Sequence, residues 1–529
     1  MHVEIKSLIE SIIKRDIVLE KPKDISLGHF ATPVAFSMAK EEKKNPMMIA
    51  ENLASLFDGI DTFESVTAIK GFLNFKLSNK YLLDSINRSL IADLEFARGE
   101  SKNEKILLEF VSANPTGPLH IGHARGAIFG DALLKVGRYL GYDITAEYYI
   151  NDAGTQMEML ATSLNLAARE YIYKEDVEYP EQFYRGDYLF DIADKCVAKY
   201  GHDVFKDPSM QQELALFAKD EVMNIIIKDL GDLGVVFDNF VSEKSLYKDW
   251  DETKRSLERN NSLYDKDDKT FLRSTAYGDD SDRVVVRDNG IPTYLAGDII
   301  YHKNKFDRNF DKYINIWGAD HHGYITRVKA AVEFVGHDSS KLEILLSQMV
   351  ALLKGGEPYK MSKRAGNVIL MSDITDEIGA DALRFIFLTK KSDTHLEFDI
   401  DTLKNQDSSN PVFYINYAHA RIHQLFKKAN LTKSDVEDQD ISAINQDGKD
   451  LIFQALLLPD ILEESFIKRD MQKVTDYLHG LSAMVHKFYN EHRIVGDDHE
   501  KQYLKALSMV ALSLKVGLKV LGITAKEVM

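Results

Sequence analysis

The chain has 529 residues, 44% of them hydrophobic and 28% charged, which is the balance of ordinary globular protein at the length of three or four domains and excludes wholesale disorder or a membrane bundle. Acidic residues outnumber basic ones by 83 to 66, a net charge of −17, so any nucleic-acid contact must come from local basic patches on an acidic body. The single cysteine, Cys196, excludes an intramolecular disulfide and a multi-cysteine zinc site, and points to the reducing cytoplasm.

The first twenty residues carry charge every few positions and hold no apolar signal core. Residues 1–85 predict a small α+β domain. Leu8, Ile9, Ile12 and Ile13 lie at helical spacing, Asn45-Pro46 opens a second helix through Ile49, Ala50 and Leu53, and residues 66–77 alternate as a strand does. From 100 to 400 the pattern changes. A short apolar run at 106–111 leads through a Pro/Gly loop to a helix over 121–140, stopped by Gly141, then a strand at 144–150 and a helix from 152. That βαβ order predicts an α/β fold with a parallel sheet and crossover helices. Residues 155–280 read as polar helical insertions with no interpretable motif. Strand-like runs resume at 284–287 and, after a turn at Asp288-Asn289-Gly290, at 294–298. Another strand at 313–317 precedes a helix through Val328, Ala331, Val332 and Val335, and an apolar stretch follows at 344–353. Residues 405–529 show helical periodicity alone, which predicts an all-α domain of four or five helices. Its most apolar stretch, 506–523, is interrupted by Lys515 and Lys519 and is too short and charged to span a bilayer, so no membrane partner is expected.

Two loops carry chemistry. Pro115-Thr116-Gly117-Pro118-Leu119-His120-Ile121-Gly122-His123 follows a strand and opens a helix, where a doubly wound sheet presents backbone N–H groups and a helix dipole to phosphates. His120 and His123 share one face of the helix start, where their rings can donate to phosphate oxygens, and Gly122 leaves room for a flat base. Lys360-Met361-Ser362-Lys363-Arg364, after Gly355-Gly356, makes a cationic lid able to neutralise charge on a pyrophosphate leaving group.

Together these loops resemble the HIGH and KMSKS signatures of class I aminoacyl-tRNA synthetases, the second reading KMSKR. Longer strings resemble the arginyl-tRNA synthetases of bacterial type: EFVSANPTGPLHIGHAR at 109–125, YLAGDIIYH at 294–302, WGADHHG at 317–323, DALR at 381–384, NPVFYINYAHARI at 410–422, and GFLNFKL at 71–77. The resemblance spans nearly the whole chain and is loosest at 155–270. It implies a tRNA-corner domain at 1–85, a Rossmann-type catalytic domain at 100–400 and an anticodon-binding helical domain at 405–529. It also implies a cytoplasmic ligase that makes arginyl-adenylate from ATP and L-arginine and charges tRNA(Arg), with activation dependent on bound tRNA.

By the same resemblance Pro115, Thr116, Gly117, His120, Gly122, His123, Met361, Ser362 and Lys363 bind ATP, and His120, His123, Lys360 and Lys363 act in catalysis. Glu109, Ser112, Asn114, Tyr294, Asp298 and Asp320 form the arginine site. The chemistry agrees, because a guanidinium offers five donors and wants carboxylates. Asp298 also reads as a plain helix N-cap. Tyr414, Tyr417 and Arg421, with His423, suit stacking and phosphate contact with a single-stranded loop, or equally a core helix with an exposed rim; the resemblance favours tRNA. Magnesium is expected to ride on the ATP phosphates, with no zinc and no dedicated metal cage, and a monomer is expected. Two rivals stand beside this reading. A synthetase for another amino acid fits the acidic pocket residues less well, and a non-catalytic RNA-binding paralogue has no need of His120, His123 and Lys363 together.

Overall fold

The computed structural model describes residues 1–22, 24–359 and 368–529. They form two compact units, one from Gly99 to Asn405 and one that joins Met1–Arg98 to Gln406–Met529.

The first unit is built on a five-stranded parallel sheet. Its strands are β1 (Lys105–Glu109), β2 (Asp143–Ile150), β3 (Asn239–Ser242), β4 (Lys312–Gly318) and β5 (Leu342–Ser347), in the spatial order β5-β4-β1-β2-β3. The chain builds one way from β1 through β2 to β3, then turns back to add β4 and β5 on the other side. This reversal opens a crevice beyond the carboxyl ends of β1 and β4, the ligand position of open α/β sheets. Register places Glu109 beside both Asn315 and Glu147. Leu107, Tyr313 and Leu342 of the strands pack with Phe306, Val328 and Val332 of the covering helices, and burial of Ile106, Leu107 and Leu108 is why the centre of β1 reads as an apolar run.

Helix α1 (Ile121–Tyr139) follows β1, and α2 (Tyr294–Asp307) precedes β4. Gly141 ends the α1 turn at φ +90, and a Cβ there would meet the Glu100 carbonyl oxygen at 2.0 Å, so no side chain fits. Arg384 of the DALR string is buried against Asp131 of α1.

The structure departs from the sequence pattern at four places. Residues 294–298 open α2 and are no strand; their apolar positions 295, 296, 299 and 300 repeat every four residues, which a five-residue window cannot reveal. Residues 155–280 are more than insertion, since β3 completes the sheet edge with four residues, too few for a period. The stretch 344–353 divides between β5 and a strand Val350–Lys354 that belongs to a separate three-stranded sheet with Glu357–Pro358 and Leu396–Asp399. Residues 66–77 belong to a hairpin, Phe63–Ile69 and Phe72–Leu77, turned at Lys70 and Gly71, both at positive φ.

In the second unit Phe72–Leu77 is the centre of a three-stranded antiparallel sheet between Phe30–Thr32 and Phe63–Ile69. Five longer helices follow Gln406, among them α3 (Pro411–Ala429) and α4 (Gln472–Glu491). The helix Asn79–Ala92 packs on the helices Gln446–Leu456 and Glu500–Val520. The His29 ring lies 4.3 Å from that of Phe453, and the His2 backbone N–H donates to Asp460 at 3.0 Å. The first and last stretches of sequence thus share one body. Among the described residues no helix is long and apolar enough to cross a membrane.

Candidate active site

The chain leaves β1 through a strained turn. Val111 and Ser112 take φ values of 69 and 44, a left-handed conformation rare for a β-branched residue and a common mark of functional loops. Three hydrogen bonds hold it. Ser112 N–H donates to the Phe110 carbonyl (3.0 Å), Ser112 Oγ donates to Glu109 (2.9 Å), and Ser112 Oγ accepts from Tyr149 N–H (3.1 Å). The Ser112 hydroxyl, expected at the arginine site, is therefore used in tying β1 to β2. The Asn114 carbonyl accepts from Thr116 N–H at 2.8 Å, and the residue is partly exposed. Pro115 and Thr116 are buried. The Tyr188 hydroxyl donates to the Thr116 carbonyl at 2.7 Å, and a Cβ on Gly117 would stand 3.1 Å from the Tyr188 hydroxyl oxygen. Tyr188 clamps the loop from within the stretch that held no readable motif.

His120 and His123 form a capping box on α1. His120 is the N-cap, and its Nδ1 accepts from Gly122 N–H (3.1 Å); His123 Nδ1 accepts from His120 N–H (3.3 Å). The rings stack at 3.7 Å. The remaining N–H groups of the first turn are also taken, Ile121 by the Ile369 carbonyl and His123 by the His120 carbonyl, both at 2.9 Å. This corrects the expectation that backbone N–H groups face the phosphates. Burial holds His120 below its ordinary pKa, and burial together with His120 holds His123 near 3. Both rings are thus neutral, and an Nδ1 that accepts leaves the proton on Nε2. The turn's hydrogen-bonding capacity is transferred outward to two Nε2–H donors. Gly122 is exposed between them, and a Cβ there would meet the His120 ring at 2.9 Å.

The segment after residue 367 docks on this turn. Met371 N–H donates to the Leu119 carbonyl at 2.8 Å, and Leu370 pairs with His120 as an isolated β-bridge. Lys360, Met361, Ser362 and Lys363 lie outside the described residues.

An acidic pocket stands at the same crevice. Asp298 sits in the second turn of α2, and the N-cap of that helix is Thr293, so capping does not explain Asp298. Burial first, then Glu243 and Glu109, push its carboxyl up to about 7, against the pull of Arg327 and Lys305. Glu243, just beyond β3, is buried and also pushed up, chiefly by desolvation; it accepts from the Tyr247 hydroxyl at 3.0 Å. A Cβ on Gly297 would come within 2.7 Å of Glu243 Oε1, so glycine there lets α2 bring its carboxylate to that of Glu243. Tyr294 is half exposed, and its hydroxyl faces Gly154. Glu109, expected to supply negative charge in the arginine site, is buried and ion-paired with the buried Lys305, so its charge already has a partner within the protein. Asp320 is no wall of the pocket; its side chain is 80% exposed and lies 3.6 Å from His321. Outside the pocket opens a cleft of about 1160 Å³ whose lining includes Tyr247, Tyr294, Lys219, Lys244 and Arg287. Two neighbouring carboxylates held reluctant to ionise make a receptor for a cation with forked donors. Sequence reasoning missed Glu243, Tyr149, Tyr247 and Tyr188, which no motif marks. Lys305 carried a faint signal, seven residues beyond Asp298 and so on the same helix face.

In the other unit, α3 and α4 pack together and gather an aromatic–basic cluster. The Arg421 guanidinium lies 4.8 Å over Tyr417 and 4.0 Å over Tyr489, and the Tyr414 ring is 4.4 Å from His486 and 5.1 Å from His479. His423 pairs instead with His419 at 4.7 Å.

Comparison with known proteins agrees with this geometry. The family model "tRNA synthetases class I (R), catalytic domain" matches residues 85–426, the "Arginyl tRNA synthetase N terminal domain" residues 2–77, and the "DALR anticodon binding domain" residues 415–529. The chain belongs to the arginyl-tRNA synthetase family. It is 69% identical over 525 residues to the arginine–tRNA ligase of Aliarcobacter butzleri, covering 99% of each chain, and 54% identical over 527 residues to that of Nitratiruptor sp., covering all of each. A solved structure of a putative arginyl-tRNA synthetase from Campylobacter jejuni superposes with a TM-score of 0.83 at 52% identity, covering 86% of this chain and all of that one. The Thermus thermophilus arginyl-tRNA synthetase, at 18% identity and a TM-score of 0.78 over all of both chains, shares the fold.

Proposed function

We propose that the chain is an arginine–tRNA ligase that acts in two steps. A carboxylate oxygen of L-arginine attacks the α-phosphorus of ATP, and pyrophosphate leaves with its electron pair. A hydroxyl of the terminal ribose of tRNA(Arg) then attacks the arginyl carbonyl, and AMP leaves. No proton changes hands in the first step, so the protein's contribution there is positioning and charge stabilisation. His120 and His123 donate Nε2–H to the phosphates, Gly122 leaves room for the adenine, and Asp298 with Glu243 holds the guanidinium while Asn114 meets the α-amino group. The observation that carries this reading is the pairing, at one crevice, of neutral donors for an anion with a two-carboxylate receptor for a cation.

Magnesium enters on the nucleotide. Among the described residues the one group of three metal-capable side chains is Asp447, Glu491 and His492, in the other unit, and no step is assigned to a resident ion. Lys363 is proposed to meet the leaving pyrophosphate; Lys363→Ala should lower kcat of activation more than it raises the KM for ATP.

The cluster of Tyr414, Tyr417 and Arg421 is proposed to stack on and pair with the tRNA anticodon loop. Arg421→Ala should raise the KM for tRNA by roughly tenfold, from about 1–3 kcal/mol per lost stack, and leave the KM for ATP unchanged. A KM for tRNA equal to that of the unaltered protein would remove Arg421 from the interface. The function as a whole is tested by aminoacylation of total tRNA with each labelled amino acid in turn. Charging by arginine alone is expected, and charging by another amino acid at comparable rate would overturn the reading.

A further inference from the structure

Beneath the acidic pocket runs a chain of polar side chains, of which His302, Lys305 and Asn315 are all at least 97% buried. Lys305 Nζ pairs with Glu109, donates to Asn315 Oδ1 at 2.8 Å and lies 4.4 Å over the Tyr301 ring. Asn315 Nδ2–H donates to His302 Nε2 at 3.1 Å, and His302 Nδ1–H donates to the Asp298 carbonyl at 2.8 Å. With one ring nitrogen donating and the other accepting, His302 is held neutral in a single tautomer. Burial, then the charge of Lys305, keeps its pKa near 3. Each member has a partner, as a buried polar network requires.

The chain links the end of β1 to the turn of α2 that carries Asp298. The groups that act on Asp298 come from several elements. Glu109 belongs to β1, Glu243 and Tyr247 to the segment after β3, Arg327 to the helix Ile325–Phe334, and Lys305 to α2 itself; Tyr149 of β2 feels the same carboxylates. Three carboxylates therefore share one region, and a buried ammonium cancels one of them.

We propose that Lys305 is a positioning residue for arginine binding: it neutralises Glu109 and, through Asn315 and His302, braces the Asp298 turn, so that Asp298 and Glu243 are the charges that meet the guanidinium. This inference rests on the arginine reading above. Lys305 itself touches no substrate.

The test is the pH profile of kcat/KM for arginine in ATP–pyrophosphate exchange with tRNA present, a quantity that reports groups of the free enzyme. Three proteins are compared: the unaltered chain, Lys305→Met, and the double variant Glu109→Gln with Lys305→Met. Lys305→Met removes the cation that favours the ionised form of Asp298, so the acid limb should move to higher pH by roughly one pH unit or more. The KM for ATP should stay within about twofold. Removing the Glu109 charge as well should return the limb to its original position. An unmoved limb in Lys305→Met, or a double variant still displaced, overturns the proposal. Should Lys305→Met fail to fold, Glu109→Gln alone decides: with the Lys305 charge left unbalanced the limb should move to lower pH, and an unmoved limb overturns the proposal. Absence of arginine-dependent exchange in the unaltered chain overturns the arginine reading instead, and this inference with it.

Discussion

Asparagine in place of Asp298 raises the KM for arginine by about 30- to 5,000-fold, the range that follows from about 2–5 kcal/mol for one member of a buried charge pair. The KM for ATP changes by less than about threefold. The amide keeps the shape of the carboxyl, so the loss is one of charge. The pH dependence follows with a definite sign. In the free pocket the Asp298 carboxyl is pushed up to about 7 by burial and by its acidic neighbours. A bound guanidinium favours the carboxylate, so the pKa is lower in the complex. Below the free-pocket pKa, binding must expel a proton, and arginine affinity falls about tenfold per pH unit; above it, affinity is level. The asparagine variant should lose this acid limb. Pyrophosphate exchange measured across the range checks both parts. Equal rises in the KM for arginine and for ATP would mean damage to the fold and sink the assignment.

His120→Ala should lower the rate of adenylate formation by roughly 10²–10³-fold, the effect of one donor lost from a charge that develops in the transition state. His120 is also the N-cap of α1, so the same change costs about 1 kcal/mol of helix stability. His120→Asn separates the two roles. Its side-chain oxygen can still accept from Gly122 N–H, so the stability should return, while its amide donor is shorter and differently aimed, so the rate should not recover fully. An alanine variant with nearly unchanged exchange would dismiss His120 as a phosphate donor.

The sequence made the parallel sheet legible because short, largely apolar runs such as 106–108 and 313–317 alternate with helical stretches, and α1 is long and is followed by a glycine. It hid β3, a four-residue edge strand, and so hid Glu243, which the chain delivers to the pocket from the far side of a polar helical stretch. The turn at His120 was legible as a motif. What no motif states is where each N–H goes: the first-turn donors prove to be consumed by Ile369, by the His120 carbonyl and by an imidazole. Glu109 shows the same limit. Its place at a strand end was readable, but its pairing with a lysine almost two hundred residues away belongs to tertiary structure alone.

The unit that joins Met1–Arg98 to Gln406–Met529 also bears on the making of the protein. Its first part leaves the ribosome early with one face of the helix Asn79–Ala92 destined for helices not yet synthesised. At about 5–20 residues per second, translating the roughly 300 intervening residues takes on the order of 15–60 s. By the end of that time the catalytic sheet can close, since all five strands lie within the stretch then made, while the early α+β segment waits with His29 and Phe30 short of their partner Phe453. Synthesis therefore completes the scaffold of the unit Gly99–Asn405 before the unit that joins the two ends of the chain. A chain cut short after residue 405 would hold all five strands of the sheet and, in its first segment, an orphaned apolar surface, a ready substrate for chaperones and proteases.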